Sequence, residues 1–420
     1  MKLPKLFPKK KKKSDEKVLL ALDIGTEFVK AVLFTVDNIE VKVKIKGYGV
    51  AKQNSNAMQG AMIVNLESVI KAADRAVGEA LQNADKLAKL KLGKDNVNEF
   101  APTPVPEKVI IGIAGELVQG VTIMADYERE TPQAKITAVE VNEVINQIKE
   151  QAFEDAVTDI AAEIGVDIKS LEEINSKINS TYIDGVKVDN PEGFTGTKVG
   201  YKVFSTFAPS IHVNSLREIA YQLGLEILSI EVEPYAIARA LKGGRKQDYN
   251  AIILDVGGGT TDVAVIKEGA VAGTKMFAYG GRVFTKRIAK DLAVDLHEAE
   301  QMKIDYSLKQ LDKAAEIQVK KAIGKDIQIW AEGVELALDE IDDIDKYPGS
   351  IYLCGGGSAL PEIKEALIEH PWLQVLPFLS YPKVNFLFPN QLEDIIDETN
   401  LIIDPRDIPP VALARMVLEL

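Results

Sequence analysis

Two segments of the chain place an acid, a glycine and a hydroxyl at a bend between apolar runs. The first runs from Leu19 through Asp23, Gly25, Thr26 and Glu27 to Lys30. The second runs from Ala251 through Asp255, Gly257, Gly258, Gly259, Thr260 and Thr261 to Val265. Each predicts a strand, a tight turn and a returning strand. Glycine lets the backbone bend at positive φ and come close to a ligand. The exposed N–H groups of such a turn converge into an anion nest. Thr26, Thr260 and Thr261 add hydroxyl donors. Asp23 and Asp255 repel phosphate but suit a Mg²⁺ ion and its waters, because Mg²⁺ prefers oxygen ligands and keeps much of its hydration shell. Lys30 follows the first turn and offers a point charge to a β- or γ-phosphate. Either turn alone reads equally as an ordinary β-hairpin. The pair points to a duplicated core that closes on a phosphate from both sides.

A third turn joins them. Ser350 to Cys354 reads as a buried strand, Gly355, Gly356, Gly357 and Ser358 follow, and Pro361 opens a helix. Three adjacent glycines cost backbone entropy and need a reason; close approach to a flat base or a phosphate supplies one. Other elements must hold these turns. Ile39 to Val50 alternates as a strand, and Ser68 to Leu90 reads as a long helix. Pro102, Pro104 and Pro106 mark a linker, followed by a strand from Lys108 to Ala114. Val139 to Ile164 shows apolar residues at helical spacing. Asp167 to Asn190 is polar and reads as a short helix and a loop, and Tyr201 to Ala208 as a strand. Val213 to Leu223 and Glu233 to Leu241 read as helices, Gly243 to Tyr249 as a hinge, and Phe284 to Trp330 as mostly helical.

The composition bounds the class. With 420 residues, 46% of them hydrophobic, the chain can build more than one core. It contains no run of 18 apolar residues, so no transmembrane helix is expected. The single Cys354 rules out an intrachain disulfide and fits a reducing cytoplasm; its apolar strand makes it a packing residue. His212, His297 and His370 show no metal-ligand spacing. The first 14 residues hold seven lysines and no acid. Removing those seven charges from the net −13 leaves −20 on the rest, which argues against nucleic-acid binding. Leu3, Leu6 and Phe7 dot the basic tail, which is expected to be disordered and to bind anionic membrane.

The three turns, in this order, resemble the phosphate-one, phosphate-two and adenosine motifs of the actin, sugar-kinase and heat-shock-chaperone ATPase superfamily. Within it the chain looks most like the bacterial cell-division family FtsA. Asn65 to Ala73 resembles that family's early helix. Ile110 to Gly115 resembles the strand opening its inserted subdomain, and Tyr182 to Gly193 the Asp-Gly…Asn-Pro-x-Gly stretch within it. Ala278 to Gly281 with Val283 to Ala289 resembles the turn and helix after phosphate two. The resemblance covers roughly residues 17 to 420 and implies an α/β, actin-like ATPase fold. Two duplicated ribonuclease-H-like domains would surround a nucleotide cleft, with an FtsA-type insertion. The implied division is a tail at 1–16; a first domain at 17–105 and 208–246 with the insertion at 106–207; a second-domain core at 247–285 and 347–372; a helical base-binding part at 286–346; and a return to the first domain at 373–420.

The resemblance further implies ATP and Mg²⁺ as cofactors, with slow hydrolysis. Gly280 and Gly281 join the nucleotide-binding set, and Glu300 and Lys303 resemble a ribose- and base-contacting pair; the same spacing also makes a plain helical ion pair. Glu233 matches the position of a hydrolytic acid in the chaperone branch, and Asp255 joins it in the catalytic set. An acid at a helix start is equally accounted for by the macrodipole. The implied partners are other copies of the chain in an actin-like protofilament, an FtsZ-like protein, and the inner face of the cytoplasmic membrane. FtsA proteins usually end in an amphipathic membrane helix. Here Pro409 to Leu418 looks like the family's last domain helix, so the N-terminal tail is the expected substitute. The alternatives are a PilM-like pilus-assembly component and a small-molecule kinase of the same superfamily, for which no sugar-kinase signature is present.

Overall fold

The computed structural model describes residues 17–54, 56–59, 62–92, 100–113, 118–164, 167–242, 249–341 and 344–420. The basic tail, and the expected hinge up to residue 248, lie outside them. In chain order the strands are β1 (Leu19–Ile24), β2 (Phe28–Asp37), β3 (Lys42–Lys52), β4 (Met58–Gln59), β5 (Met62–Ile63), β6 (Lys108–Ile113), β7 (Gln119–Glu128), β8 (Leu171–Ile183), β9 (Val186–Val188), β10 (Lys198–Pro209), β11 (Glu226–Val232), β12 (Ala251–Val256), β13 (Thr261–Lys267), β14 (Ala270–Phe277), β15 (Ser350–Cys354), β16 (Lys383–Phe386) and β17 (Ile395–Asp397). The helices are α1 (Leu66–Leu92), α2 (Ala138–Ile164), α3 (Ser210–Gln222), α4 (Glu233–Lys242), α5 (Gly281–Leu292), α6 (Leu296–Ser307), α7 (Lys313–Asp339), α8 (Pro361–Glu369), α9 (Trp372–Val375) and α10 (Ile408–Arg415).

One sheet has the order β11-β6-β1-β2-β3-β17 and a second the order β14-β13-β12-β15-β16. Both are built around the same device, an antiparallel hairpin (β1–β2, β12–β13) with a parallel strand beside its first arm (β6, β15). Period-two alternation then divides the side chains of β12. Ile252 and Leu254 enter a core under α5, α7 and α8, whereas Ile253 joins the core of the first sheet. Helices α4 and α10 contribute Ala236, Ile237, Val411 and Leu413 to that first core, between the two sheets.

Helix α1 lies on β3 through small residues. Ala72, Ala73, Ala76, Ala80 and Ala84 are buried along it, and β3 meets them with Gly47 and Gly49. A Cβ on Gly49 would stand 2.5 Å from the Ala80 nitrogen and closer still to the Ala76 carbonyl, whereas one on Gly78 meets nothing within 4 Å. Gly49→Ala is therefore expected to destabilise by about 1–3 kcal/mol through overpacking. Gly78→Ala should stabilise by up to about 1 kcal/mol through helix propensity. Chemical denaturation of the two variants checks the pair.

Three expectations need correction. Strand β6 does not open the inserted part; it pairs in parallel with both β1 and β11 in the first sheet. An apolar run such as Val109–Ile113 suits any strand buried on both faces, so its composition did not place it. The inserted sheet, order β7-β10-β8-β9, follows β6. Second, Asp167 to Asn190 is mainly strand, not helix and loop. β8 pairs along its length with β10, with register shifts opposite Lys202/Val203 and Thr206/Phe207. The two bulges break the alternation by which the strand would be read. Third, the chain has not left the second sheet at residue 373. β16 still pairs with β15, and the return comes with β17 beside β3. Helix α2 covers the inserted sheet with a cluster near each end, Val144 with Val199, Tyr201 and Val203, and Val157, Ile160 and Ala161 with Leu171 and Phe207.

Candidate functional site

The hairpin register makes the two turns equivalent. Asp23 pairs with Lys30 and Ile24 with Val29; Asp255 pairs with Asp262 and Val256 with Thr261. Each turn is closed by one backbone bond, Gly25 N–H to the Phe28 carbonyl (3.0 Å) and Gly257 N–H to the Thr260 carbonyl (2.9 Å). The two bends meet face to face. A Cβ on Gly259 would lie 3.0 Å from Thr26 Oγ1, and one on Gly258 would fall on the Glu27 side chain. The third turn closes the group from the side. Gly355 has φ +81°, and a Cβ there would meet Asp255 Oδ1 and, at 2.5 Å, the Val256 carbonyl; one on Gly357 would lie 3.0 Å from the Gly257 carbonyl.

Helix α5 is fixed to the second turn. Gly281 N–H donates to the Gly257 carbonyl (2.9 Å) and Arg282 N–H to that of Gly258 (2.7 Å). Gly280 has no room for a side chain, its Cβ position being 2.7 Å from the Gly257 carbonyl. Lys303 Nζ reaches across from α6 to the Gly281 carbonyl (3.0 Å), Thr285 Oγ1 (2.7 Å) and Glu300 Oε2 (2.8 Å), and Thr285 also donates to Glu300. The expected Glu300–Lys303 pair thus lies beside the turns, where it ties α6 to α5.

Two expected hydroxyl ligands serve the scaffold instead. Thr261 is fully buried; its Oγ1 donates to the Tyr279 carbonyl (2.7 Å) and accepts from Trp330 Nε1 (2.9 Å). It faces the core because it is the first residue of β13, one position past the bend, and Thr260 is left as the hydroxyl of the turn. Ser358, also fully buried, donates to the Gly355 carbonyl (2.7 Å) and braces the third turn.

Carboxylates crowd beneath the bends. Lys30 Nζ donates to Asp23 Oδ2 at 2.8 Å. Burial pushes the lysine's pKa down, but Asp23 first, then Asp255 and Glu233, outweigh it and leave it above the usual lysine value. Glu233, at the start of α4, is 7% exposed. Burial, then Asp23, Asp255 and Asp262, push its carboxyl well up. Burial pushes Asp255 up to about 6, with Lys30 opposing and Asp23 adding, and burial with Asp255 lifts Asp262 well up. Gly112 on β6 makes the space for Glu233, since a Cβ there would stand 2.6 Å from its Oε1. Acids that outnumber the lysine they share fit a divalent cation. Among the described residues no three His, Cys, Asp or Glu side chains form a metal-ligand cluster, but a magnesium held through its waters needs fewer protein ligands.

The sign of the Asp255 shift has a consequence. Its ordinary value is 3.8, so between about pH 4 and 6 the folded chain holds a proton that the unfolded chain has released. This contribution to stability is therefore lost as pH rises through the window. Asp255→Asn, which cannot ionise, is expected to gain on the wild type by on the order of 2–3 kcal/mol between pH 4 and 7. Parallel melting curves check it, and a gap independent of pH would contradict it.

Sequence reasoning overlooked Arg282, Asp262, Gln53 and Gly112. Gln53 Nε2 donates to the Gly25 carbonyl (3.0 Å) and steadies the first turn. Asp262 was visible in the second motif, at the position Lys30 holds in the first. A glycine inside an apolar strand, as at 112, signals close approach by another group.

Set against known proteins, the sequence model described as Cell division protein FtsA matches residues 252–397. The Cell division protein FtsA of Neisseria meningitidis is 28% identical over 303 residues, which are 71% of this chain and 63% of that protein. That of Pseudomonas aeruginosa is 25% identical over 387 residues, 86% and 84% of the two chains. The chain is FtsA-like. Part of the Neisseria protein, more than a third of its length, lies outside its alignment. A solved structure, described as the PilM-PilN type IV pilus biogenesis complex, superposes with a TM-score of 0.62 at 15% identity and covers 94% of this chain and 97% of its own. The FtsA-like chain has the actin-like ATPase fold that its three turns imply. No helix among its described residues is long and apolar enough to cross a membrane.

Proposed function

We propose that this FtsA-like chain binds Mg-ATP between its two sheets, assembles head to tail as an actin-like protofilament at the inner face of the cytoplasmic membrane, and links an FtsZ-like protein to it. The observation that carries the nucleotide reading is the meeting of the two equivalent turns with the Gly355–Gly357 turn above a buried group of acids. Backbone N–H groups of Gly25 to Glu27 and Gly257 to Thr260 would receive phosphate oxygens, Lys30 would supply a positive charge, and Gly355 to Gly357 with Glu300 and Lys303 would face the nucleoside. Asp23 and Asp255 would hold Mg²⁺ through its waters; the ion, when bound, neutralises phosphate charge.

Glu233 is the candidate for orienting the attacking water. Burial and the neighbouring acids hold its carboxyl above the usual range, and a cation held beside it would favour the carboxylate, the form that accepts a proton. Slow hydrolysis fits a nucleotide state that acts mainly on domain closure and filament contacts. The inserted sheet would carry self-association or partner contacts, and the basic tail the membrane contact.

Calorimetric titration with Mg-ATP tests the core of the reading. Asp255→Ala should lose the metal-dependent part of the affinity, and Gly356→Asp most of the binding through charge exclusion. Unchanged affinity in both would remove the assignment. Co-sedimentation with an FtsZ-like protein, set against binding of a pilus-protein tail peptide, separates the division partner from the pilus one.

A further inference from the structure

Arg282 is anchored by its backbone to the second turn, but its side chain crosses to the first. Nε donates to Glu27 Oε1 at 2.5 Å and Nη2 to the Thr26 carbonyl at 2.9 Å. Both side chains are partly buried, at 22% and 26% exposure. The Glu27 side chain in turn lies on Gly258, where a Cβ would be 3.1 Å from Glu27 Cβ and nearer still to Cγ. The first turn therefore lays the Glu27 side chain, by its Cβ and Cγ, against Gly258 of the second, and the Nε–H of Arg282 meets its carboxylate while Nη2 holds the Thr26 carbonyl. Glycine backbone on one side and guanidinium on the other is the setting in which proteins hold phosphate.

We propose that the Glu27 carboxylate is a built-in stand-in for phosphate, and that Arg282 is a triphosphate-binding residue that exchanges Glu27 for a phosphoryl oxygen. The inference rests on the Mg-ATP reading and deepens it. A terminal phosphate brings more negative charge than a carboxylate and several acceptors for the fork, so the exchange favours the triphosphate. Glu27, once released, faces solvent on its exposed side. While paired, it competes with the ligand and lowers the apparent affinity by the fraction of molecules in which the pair is closed. A diphosphate, with fewer oxygens to reach across the turns, draws less on Arg282.

The two partners should therefore move affinity in opposite directions. In titrations of the full chain with Mg-ATP and Mg-ADP, Arg282→Ala should weaken ATP binding about tenfold or more and ADP binding less. Glu27→Gln should tighten ATP binding about threefold or more, and should change nothing in the Arg282→Ala background, because the competition needs both residues. Two results would overturn the exchange: variants that shift affinity in the same direction, as a purely structural strut would, or a Glu27→Gln gain that survives without Arg282, as simple charge repulsion would. A wild-type chain that takes up no nucleotide overturns the ATP reading and the exchange together; a wild-type chain that binds while the variants behave as a strut overturns the exchange alone.

Discussion

Gly355→Ala should be among the most damaging single-methyl changes in this protein, and Gly356→Ala, one residue on, should be nearly silent. Gly355 sits at φ +81°, where an L side chain is strained, and a Cβ would also be driven into the Val256 carbonyl at 2.5 Å and into Asp255. Neither neighbour can yield. Val256 is the last residue of β12, and Asp255 is buried one residue before it. The turn is pinned from outside as well, by Gly355 N–H donating to the Pro405 carbonyl at 3.1 Å. Strain and overpacking together should cost about 3–4 kcal/mol. At Gly356 the nearest atom is Arg406 Cβ, at 4.0 Å from the new methyl, and the cost should stay within about 0.5 kcal/mol. Denaturant midpoints of the two variants decide the matter; equal midpoints would mean that the third turn does not lean on Asp255.

Lys30→Ala should destabilise by about 3–5 kcal/mol, because it leaves buried acids without the cation they share. The side chains of Lys30 and Asp23 are 14% and 3% exposed, so water does not replace the ammonium. The loss should be smaller at low pH, where the acids take up protons in its place. Combined with Asp255→Asn, the same substitution should recover part of the loss, since one of the stranded charges is gone. Full additivity of the two changes, measured by denaturation at pH 7, would show that Lys30 and Asp255 do not interact. Mg-ATP binding by Lys30→Ala, followed at a temperature where the variant is folded, should fall with it.

The turns were legible because local chemistry fixes them. An acid, a glycine and a hydroxyl after an apolar strand make a recognisable bend, and the repeat made it specific. What the turns touch was not legible. Arg282 and Glu27 are 255 positions apart, and their meeting is a product of the whole fold. Thr261 and Ser358 looked like ligands because hydroxyls beside glycines do; only the direction of the strand and the closing of the third turn assign them to the scaffold. β6 shows the other limit. Its apolar run announces a buried strand without saying which sheet buries it. β8, with two bulges, lost the alternation by which strands are read.

The attachment of the inserted sheet has a mechanical consequence. β6 carries Gly112 beneath Glu233 and then leads toward the insert. β11, its parallel neighbour, carries Glu231, whose Oε2 accepts a hydrogen bond from Asn175 of the insert at 2.5 Å, and ends directly at Glu233. The insert is thus joined to two adjacent strands that flank one carboxylate. The inserted sheet is thereby coupled, through one chain connection and one side-chain hydrogen bond, to both strands beside Glu233 and the glycine turns.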